Sequence, residues 1–436
     1  MAVRPEAIAA LPVDQVMGRD RACKEPLLLG EQLFWAEHRP DQGGRTTLMR
    51  QVAAGAAPQD LTPGRWSLRS RVHEFGGGLF CASSELAVFI EARSGIPHAV
   101  SFSPGAQPRP LISGPSDECG RYADGLIDTQ RQRWLGVRET TSCDQLVALP
   151  LSGGEPQVLR QEADFCGYAA LSPAGDQLAW LEWSLPAMPW ERTELWCSPI
   201  DAAGELSHPQ RIAGGDGCAE SLFQPLWSSA GELLVASDRS GWWTPQRWCP
   251  DQQPAWQPLP LPQACETAMP QWVYGMRTMA ASEGALLALA CAQGEWSLWQ
   301  YPWQQQQWRR IPLPLNELSG LTASSQRAVC LGASATQRTT LLELDLAAAS
   351  HHPLQPAAPL PQGLVRISEP RALEFVGGDG QSSHGWYYPP TTSEAGPAPL
   401  LVKAHSGPTG MARTGLNLAI QFWTSRGWGV VDVNYG

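Results

Sequence analysis

The side chains able to do chemistry gather in a few short stretches of the 436 residues. His73-Glu74-Phe75 runs directly into three glycines, Gly76 to Gly78. Such glycines cradle phosphate only where a helix opens behind them, and no helical apolar period follows Gly78. Glu74 is then either a carboxylate facing a cationic group of a ligand or one paired inside a turn. Eleven cysteines are scattered from Cys23 to Cys330 with no C-x-x-C pair and no Cys/His set at zinc-ligand spacing. They read as small buried thiols in a reducing compartment, and neither metal nor cofactor is expected. His351-His352 has no further ligand nearby in sequence, and Asp238-Arg239 reads as a local ion pair after a strand.

The bulk of the chain narrows what these residues can serve. A formal charge of -11 and the absence of any basic cluster argue against nucleic acid or an anionic membrane as partner. Met1 to Pro12 lacks the apolar core of an export signal, and no window is apolar enough to span a bilayer. A soluble, cytoplasmic protein is the expectation. Thirty-nine Pro and 42 Gly are spread along the sequence rather than pooled in a linker, which favours many short strands and turns over long helices.

Those strands recur. Apolar runs at Leu27–Ala36, Leu86–Ala92, Trp134–Arg138, Gln177–Trp183, Leu233–Ser237, Ala285–Ala290 and Ala328–Gly332 are spaced by roughly 42 to 55 residues, the period of four-stranded propeller blades. Leu171-Ser172-Pro173-Ala174-Gly175 and Trp227-Ser228-Ser229-Ala230-Gly231 are matching tight turns, and Phe102-Ser103-Pro104-Gly105 is a degraded third copy. The pattern predicts a mainly β protein, a seven-bladed β-propeller over residues 21–360 after an N-terminal segment, 1–20. Twenty Trp, among them Trp66, Trp134, Trp180, Trp183, Trp196, Trp227, Trp242 and Trp243, would fill the wedges between blades. His351 to Gly363 reads as an interdomain connection. Beyond it, two strands, Ala372–Val376 and Trp386–Tyr388, surround a Gly-Asp-Gly turn. Leu400-Leu401-Val402 reads as the interior strand of a parallel sheet, Asn417–Ser425 as a helix closed at Arg426 and Gly427, and Gly429–Val433 as a last strand. Strand, helix, strand is a βαβ unit.

Pro399-Leu400-Leu401-Val402-Lys403-Ala404-His405-Ser406-Gly407-Pro408-Thr409, then Gln421-Phe422-Trp423 and Asp432-Val433-Asn434-Tyr435-Gly436, resembles the opening of the hydrolase domain in the prolyl oligopeptidase family of serine peptidases. The branch it is most similar to contains acylaminoacyl-peptidases and dipeptidyl-aminopeptidase-like enzymes. Arg71 to Gly78, Ser237 to Trp243, Leu181-Glu182-Trp183, Met188-Pro189-Trp190 and Glu194-Leu195-Trp196 resemble propeller signatures of the same branch, so the likeness runs from about Arg71 to Gly436.

The resemblance implies that residues 361–436 begin an α/β-hydrolase domain and that the whole enzyme cleaves short peptides by acyl transfer. His405-Ser406-Gly407-Pro408 matches the family's His-Gly-Gly-Pro element, which implies a backbone N–H at Gly407 facing the carbonyl oxygen that becomes negative. Ser406 departs from the family's glycine. His405 lies on that loop, ahead of where a nucleophile would stand, and is not expected to be the catalytic base. No serine in the chain sits in a G-x-S-x-G elbow, and the family's triad lies beyond the segment where this sequence stops, so the 436-residue chain alone is expected to be inactive. At the propeller mouth Glu74 could meet a substrate's ammonium group. Two other readings stay open: a non-catalytic propeller that binds a peptide or protein partner, and an esterase on the same scaffold. A partial sheet after Arg371 is also expected to leave an unpaired strand edge and an exposed apolar face.

Overall fold

Six of the seven apolar runs, from Leu86–Ala92 onward, become the second strand of a four-stranded antiparallel sheet, where pairing on both edges and packing on both faces reward a largely apolar sequence. The computed structural model describes residues 10–17, 20–113, 120–215, 217, 219–348, 350–355, 359–361, 364, 366–378, 380–392, 396–407 and 409–434. Among these, seven such sheets follow in chain order over residues 22–60, 80–110, 121–160, 165–214, 222–258, 279–311 and 317–353. Each is a simple meander with its strands in sequence order. From the second sheet to the seventh, first strands of successive sheets pack on one another, and the first strand of the seventh sheet, Glu317–Ser324, packs on that of the first, Ala22–Leu29. The fold is mainly β and consistent with a propeller.

Two expectations are corrected here. Leu27–Ala36 is not one strand but parts of two, Ala22–Leu29 and Gln32–Arg39, because Gly30 (φ +56°) and Glu31 turn the chain between two apolar stretches. His351 and His352 belong to no connection: Ser350–Pro353 pairs with Gln337–Asp345 and completes the seventh sheet, with His352 Nε2 3.6 Å from Glu343.

The seam between last and first sheets is held by side chains. Leu28, Leu33, Trp35 and Met49 form one buried cluster with Val329, Leu331 and Leu341. Leu28 N–H donates to Thr322 Oγ1 at 3.0 Å, and Arg327 Nη1 donates to the Glu31 carbonyl at 2.9 Å. Tryptophans fill the interior as expected, with Trp134 and Trp180 fully buried; Trp242 is the exception at 46% exposure. The expected Asp238–Arg239 pair does not form. Arg239 reaches Glu220 at 2.7 Å, and Asp238 accepts the Ser221 N–H, since the turn at Gly241 points the two neighbours apart.

A feature with no sequence forecast repeats in the first strands. Five of them carry a one-residue bulge in which two residues stand opposite one, and the first of the two takes a left-handed conformation in each: Glu25, Asp124, Tyr168, Gln224 and Gly320. Such bulges sharpen the local twist and re-aim side chains. Here they bring Glu25 and Asp124 together with Arg277 around a cleft of about 20 Å³, room for a single water.

The eighth sheet is mixed, in the order Arg371–Val376, Ser382–Tyr388, Gly429–Asn434, Leu400–Ala404. Leu400–Ala404 runs parallel to Gly429–Asn434, and the helix Leu418–Thr424 connects them. Asn417 caps that helix by accepting from the Ala419 and Ile420 N–H groups, and Gly427 (φ +84°) follows its end. Leu400–Ala404 is a strand of the sheet's edge rather than its interior: it pairs on one side only, leaving Leu400 53% and Val402 65% exposed. The N-terminal segment packs here too. Leu11 is fully buried, its N–H donates to Ser425 Oγ, and its carbonyl accepts from Arg426.

Candidate functional site

The loop His405–Gly410 leaves the C-terminal end of the parallel strand Leu400–Ala404, the end at which ligands meet α/β sheets. Gly407 has φ +71°, and a Cβ added there would sit 3.2 Å from the Trp272 ring, so both the backbone angle and the space favour glycine. Among the described residues of this loop the positive φ falls on Gly407, so Ser406, exposed at its tip, needs no unusual backbone. Gly410 lets the chain fold back over His405: a Cβ there would lie 2.9 Å from His405 Nδ1 and 2.8 Å from the Ser406 carbonyl. Pro408, Tyr435 and Gly436 lie outside the described residues. Lys403 pairs with the buried Asp432 on the neighbouring strand.

One end of the ring of sheets meets this region. The contacts named here come from the ends of first and second strands and from the segments that precede or follow them. The Trp272 ring lies beside Gly407, Gly294 approaches Trp386, Glu317 pairs with Arg413, and the Ser334 carbonyl accepts the Leu416 N–H at 2.8 Å.

At the same end the segment Arg71–Gly78 crosses between the first two sheets. Three glycines are required there by close approach: a Cβ would lie 2.4 Å from the Ser70 carbonyl at Gly76, 2.1 Å from the Tyr274 carbonyl at Gly77 and 2.5 Å from the Asp124 nitrogen at Gly78. His73 and Glu74 just before them take φ +50° and +67°. His73 Nε2 lies 2.9 Å from Asp144, whose carboxylate also accepts from the Tyr274 hydroxyl at 3.2 Å. The loop is thereby tied to the third sheet. Glu74 is 80% exposed and pairs with Arg121 at 2.9 Å, the arrangement of a paired carboxylate in a turn.

Between this loop and Gly407 lies a group of rings. Trp190 and Trp272 have centroids 4.4 Å apart, and Phe75 stands edge-on to Trp272 at 6.2 Å. Phe75 is 66% exposed. Sequence reasoning singled out Phe75 and Trp190 only inside longer motifs and missed Trp272 altogether. Nothing local marks Trp272: it sits in an irregular segment among many tryptophans, and only the fold brings it to Gly407.

Several solved structures share this architecture. The chain superposes on a Mycobacterium tuberculosis puromycin-hydrolyzing peptidase with a TM-score of 0.87 at 29% identity, over 100% of this chain and 69% of that one. On a puromycin hydrolase mutant complexed with PGG the TM-score is 0.88 at 30% identity, over 97% of this chain and 67% of that one. A Pyrococcus horikoshii acylaminoacyl peptidase shares the fold, with a TM-score of 0.68 at 12% identity over 97% of this chain and 66% of that one. No protein-family model and no curated protein matches the chain.

Proposed function

Because the chain belongs to the prolyl oligopeptidase family of serine peptidases, we propose that it supplies the propeller and the first part of the hydrolase domain of an enzyme that cleaves short peptides or aminoacyl amides by acyl transfer. In this reading the seven sheets of residues 21–360 are seven blades, and residues 361–436 open an α/β-hydrolase sheet. The puromycin-hydrolysing neighbours favour a small amide substrate over a folded protein. A cap of stacked sheets serves the same end by keeping large chains out of the space between the two parts.

In acyl transfer a serine oxygen attacks the scissile carbonyl, and the oxygen that becomes negative needs donors fixed before the reaction begins. The Gly407 N–H is assigned to that role. Positive φ turns the peptide group away from the strand direction, and the missing Cβ leaves room for a carbonyl to approach. Glu74 enters the proposal as a carboxylate that exchanges Arg121 for a substrate's ammonium group. The nucleophile, base and acid are placed outside residues 1–436, since no serine within them has the flanking glycines of a nucleophile elbow.

The observation that carries this reading is the closeness of Gly407 to Trp272, whose ring a Cβ at Gly407 would meet at 3.2 Å, so the candidate oxyanion loop lies beside the sheet ring. Kinetics on peptide p-nitroanilides test it. Residues 1–436 alone are expected to show no turnover, and the product of the whole reading frame is expected to turn over. Robust hydrolysis by residues 1–436, abolished by a fluorophosphonate, contradicts it. Turnover of p-nitrophenyl esters without any of amides would favour the esterase reading instead.

A further inference from the structure

We propose that Arg71, Arg93, Arg121 and Arg138 line a subsite for a carboxylate carried by the short peptide that reacts at the Gly407 loop. This deepens the peptidase reading and rests on it.

Three observations meet at this place. The first is charge. The chain carries -11 overall and no stretch of it is basic, yet the fold gathers these four guanidiniums on the walls of one cavity of about 570 Å³. Two carboxylates answer them: Arg121 Nη1 reaches Glu74 at 2.9 Å and Glu139 at 3.4 Å. Arg71 and Arg93 are exposed and enter no ion pair among the described residues. Like charges gathered in one concave site set up a field that draws an anion. The second is construction. Arg121 Nη1 also donates to the Arg71 carbonyl at 3.2 Å, which fixes one arginine against the segment that carries the next. Gly120 (φ +83°) stands in the same wall, and a Cβ there would lie 2.7 Å from the Glu139 carbonyl and 3.1 Å from Arg138 Nε.

The third is position. Arg71 precedes the first strand of the second sheet, and Arg121 begins the first strand of the third. Arg93 lies in the turn between second and third strands of the second sheet. Trp272 and Gly294 occupy the equivalent places in the sixth sheet, so the cavity opens at the end of the ring that meets the Gly407 loop. Glu74, the partner of Arg121, is followed by Phe75, whose ring stands 6.2 Å from that of Trp272. A peptide reacting at Gly407 spans this path with a few residues, at about 3.3 Å each.

The side chains select the ligand. A guanidinium presents paired N–H donors that match the two oxygens of a carboxylate, and such charge-assisted pairs are stronger than neutral hydrogen bonds. Glu74 and Glu139 offset part of the positive charge, which suits the cavity to a single negative charge rather than to the double charge of a phosphate. If Glu74 takes the substrate's ammonium group, the carboxylate beside it belongs to an acidic side chain near the N-terminus. On a peptide lying the other way it is the C-terminus.

The test uses the 436-residue chain labelled with ¹⁵N-arginine and three inert probes: Ala-Glu-Ala-amide, tri-alanine and tri-alanine amide. The Nε–Hε resonances of Arg71 and Arg93 are assigned from Arg71→Gln and Arg93→Gln and followed through each titration. At least one of the two carboxylate peptides is expected to shift both resonances saturably, with tri-alanine amide at least about threefold weaker. The tighter of the two tells side chain from C-terminus. The double variant Arg71→Gln, Arg93→Gln, changed at exposed side chains, should weaken that peptide roughly three- to tenfold and leave tri-alanine amide unchanged. Equal affinity for all three probes, or an unchanged affinity in the double variant, overturns the proposal. So does inorganic phosphate binding more tightly than either peptide. The absence of any shift overturns it too, as would follow if Asp117 and Glu118, which lie outside the described residues, already held the arginines. Because binding is read without hydrolysis, these outcomes are independent of whether the whole enzyme proves to be a peptidase.

Discussion

Gly407 has two separate reasons to be glycine, and each makes a substitution costly. Left-handed backbone costs a residue with a Cβ about 1–2 kcal/mol, and the Cβ would press on Trp272. Gly407→Ala in the complete enzyme should lower kcat by roughly 10²-fold while the far-ultraviolet circular dichroism stays that of the parent. An unchanged kcat would remove Gly407 from the oxyanion role. Glu25 offers a test of a different kind. Burial pushes its carboxyl up to about 7, against the Leu79 N–H and Arg277, which favour the charged form; Asp124 beside it rises to about 6 for the same first cause. The folded state thus holds the Glu25 proton up to about pH 7, whereas an unfolded glutamate releases it near 4.5. The stability this group lends is complete below pH 4.5 and is lost as pH climbs to about 7. Glu25→Gln keeps an oxygen for the Leu79 N–H, so it should raise the melting temperature at pH 8 and leave it nearly unchanged at pH 5. A gain equal at both pH values would mean that the carboxylate is not the cause.

At the scale of elements, what could be read in the sequence depended on whether neighbours along the chain or neighbours in space set the structure. Gln177–Trp183 and Leu233–Ser237 were legible to the residue because a strand paired on both edges and covered on both faces is mostly apolar. The helix Leu418–Thr424 was legible from its own ends, Asn417 and Gly427. Bulged first strands were not, since left-handed Glu25 or Tyr168 is imposed by the centre around which the strands gather. Burial of Leu11 against Ser425 was equally hidden, being a contact between opposite ends of the chain. Leu400–Ala404 was half legible: its parallel pairing follows from its apolar run, but its place at an edge depends on what stands beside it. That edge predicts a difference in hydrogen exchange. Amides of Leu400–Val402 should exchange markedly faster than those of Leu233–Ala236, which are paired on both sides. Equal protection would show the edge to be covered, for instance by self-association.

For the whole molecule, closure of the ring is the structural claim with most at stake. No strand is shared between first and last sheets among the described residues, so the seam depends on side chains, above all the cluster that includes Trp35, which is 1% exposed. Trp35→Ala should cost about 3–5 kcal/mol in urea unfolding, more than truncating a half-buried ring such as Trp227. The functional proposal is larger still: that residues 1–436 supply a cap and an oxyanion loop to a serine outside them. The most direct measurement is to treat the product of the whole reading frame with a fluorophosphonate and locate the adduct by peptide mass spectrometry. The expected result is one modified serine, C-terminal to Gly436, with loss of amidase activity in proportion to labelling. An adduct on any serine within residues 1–436 that tracks the loss of activity would contradict the account.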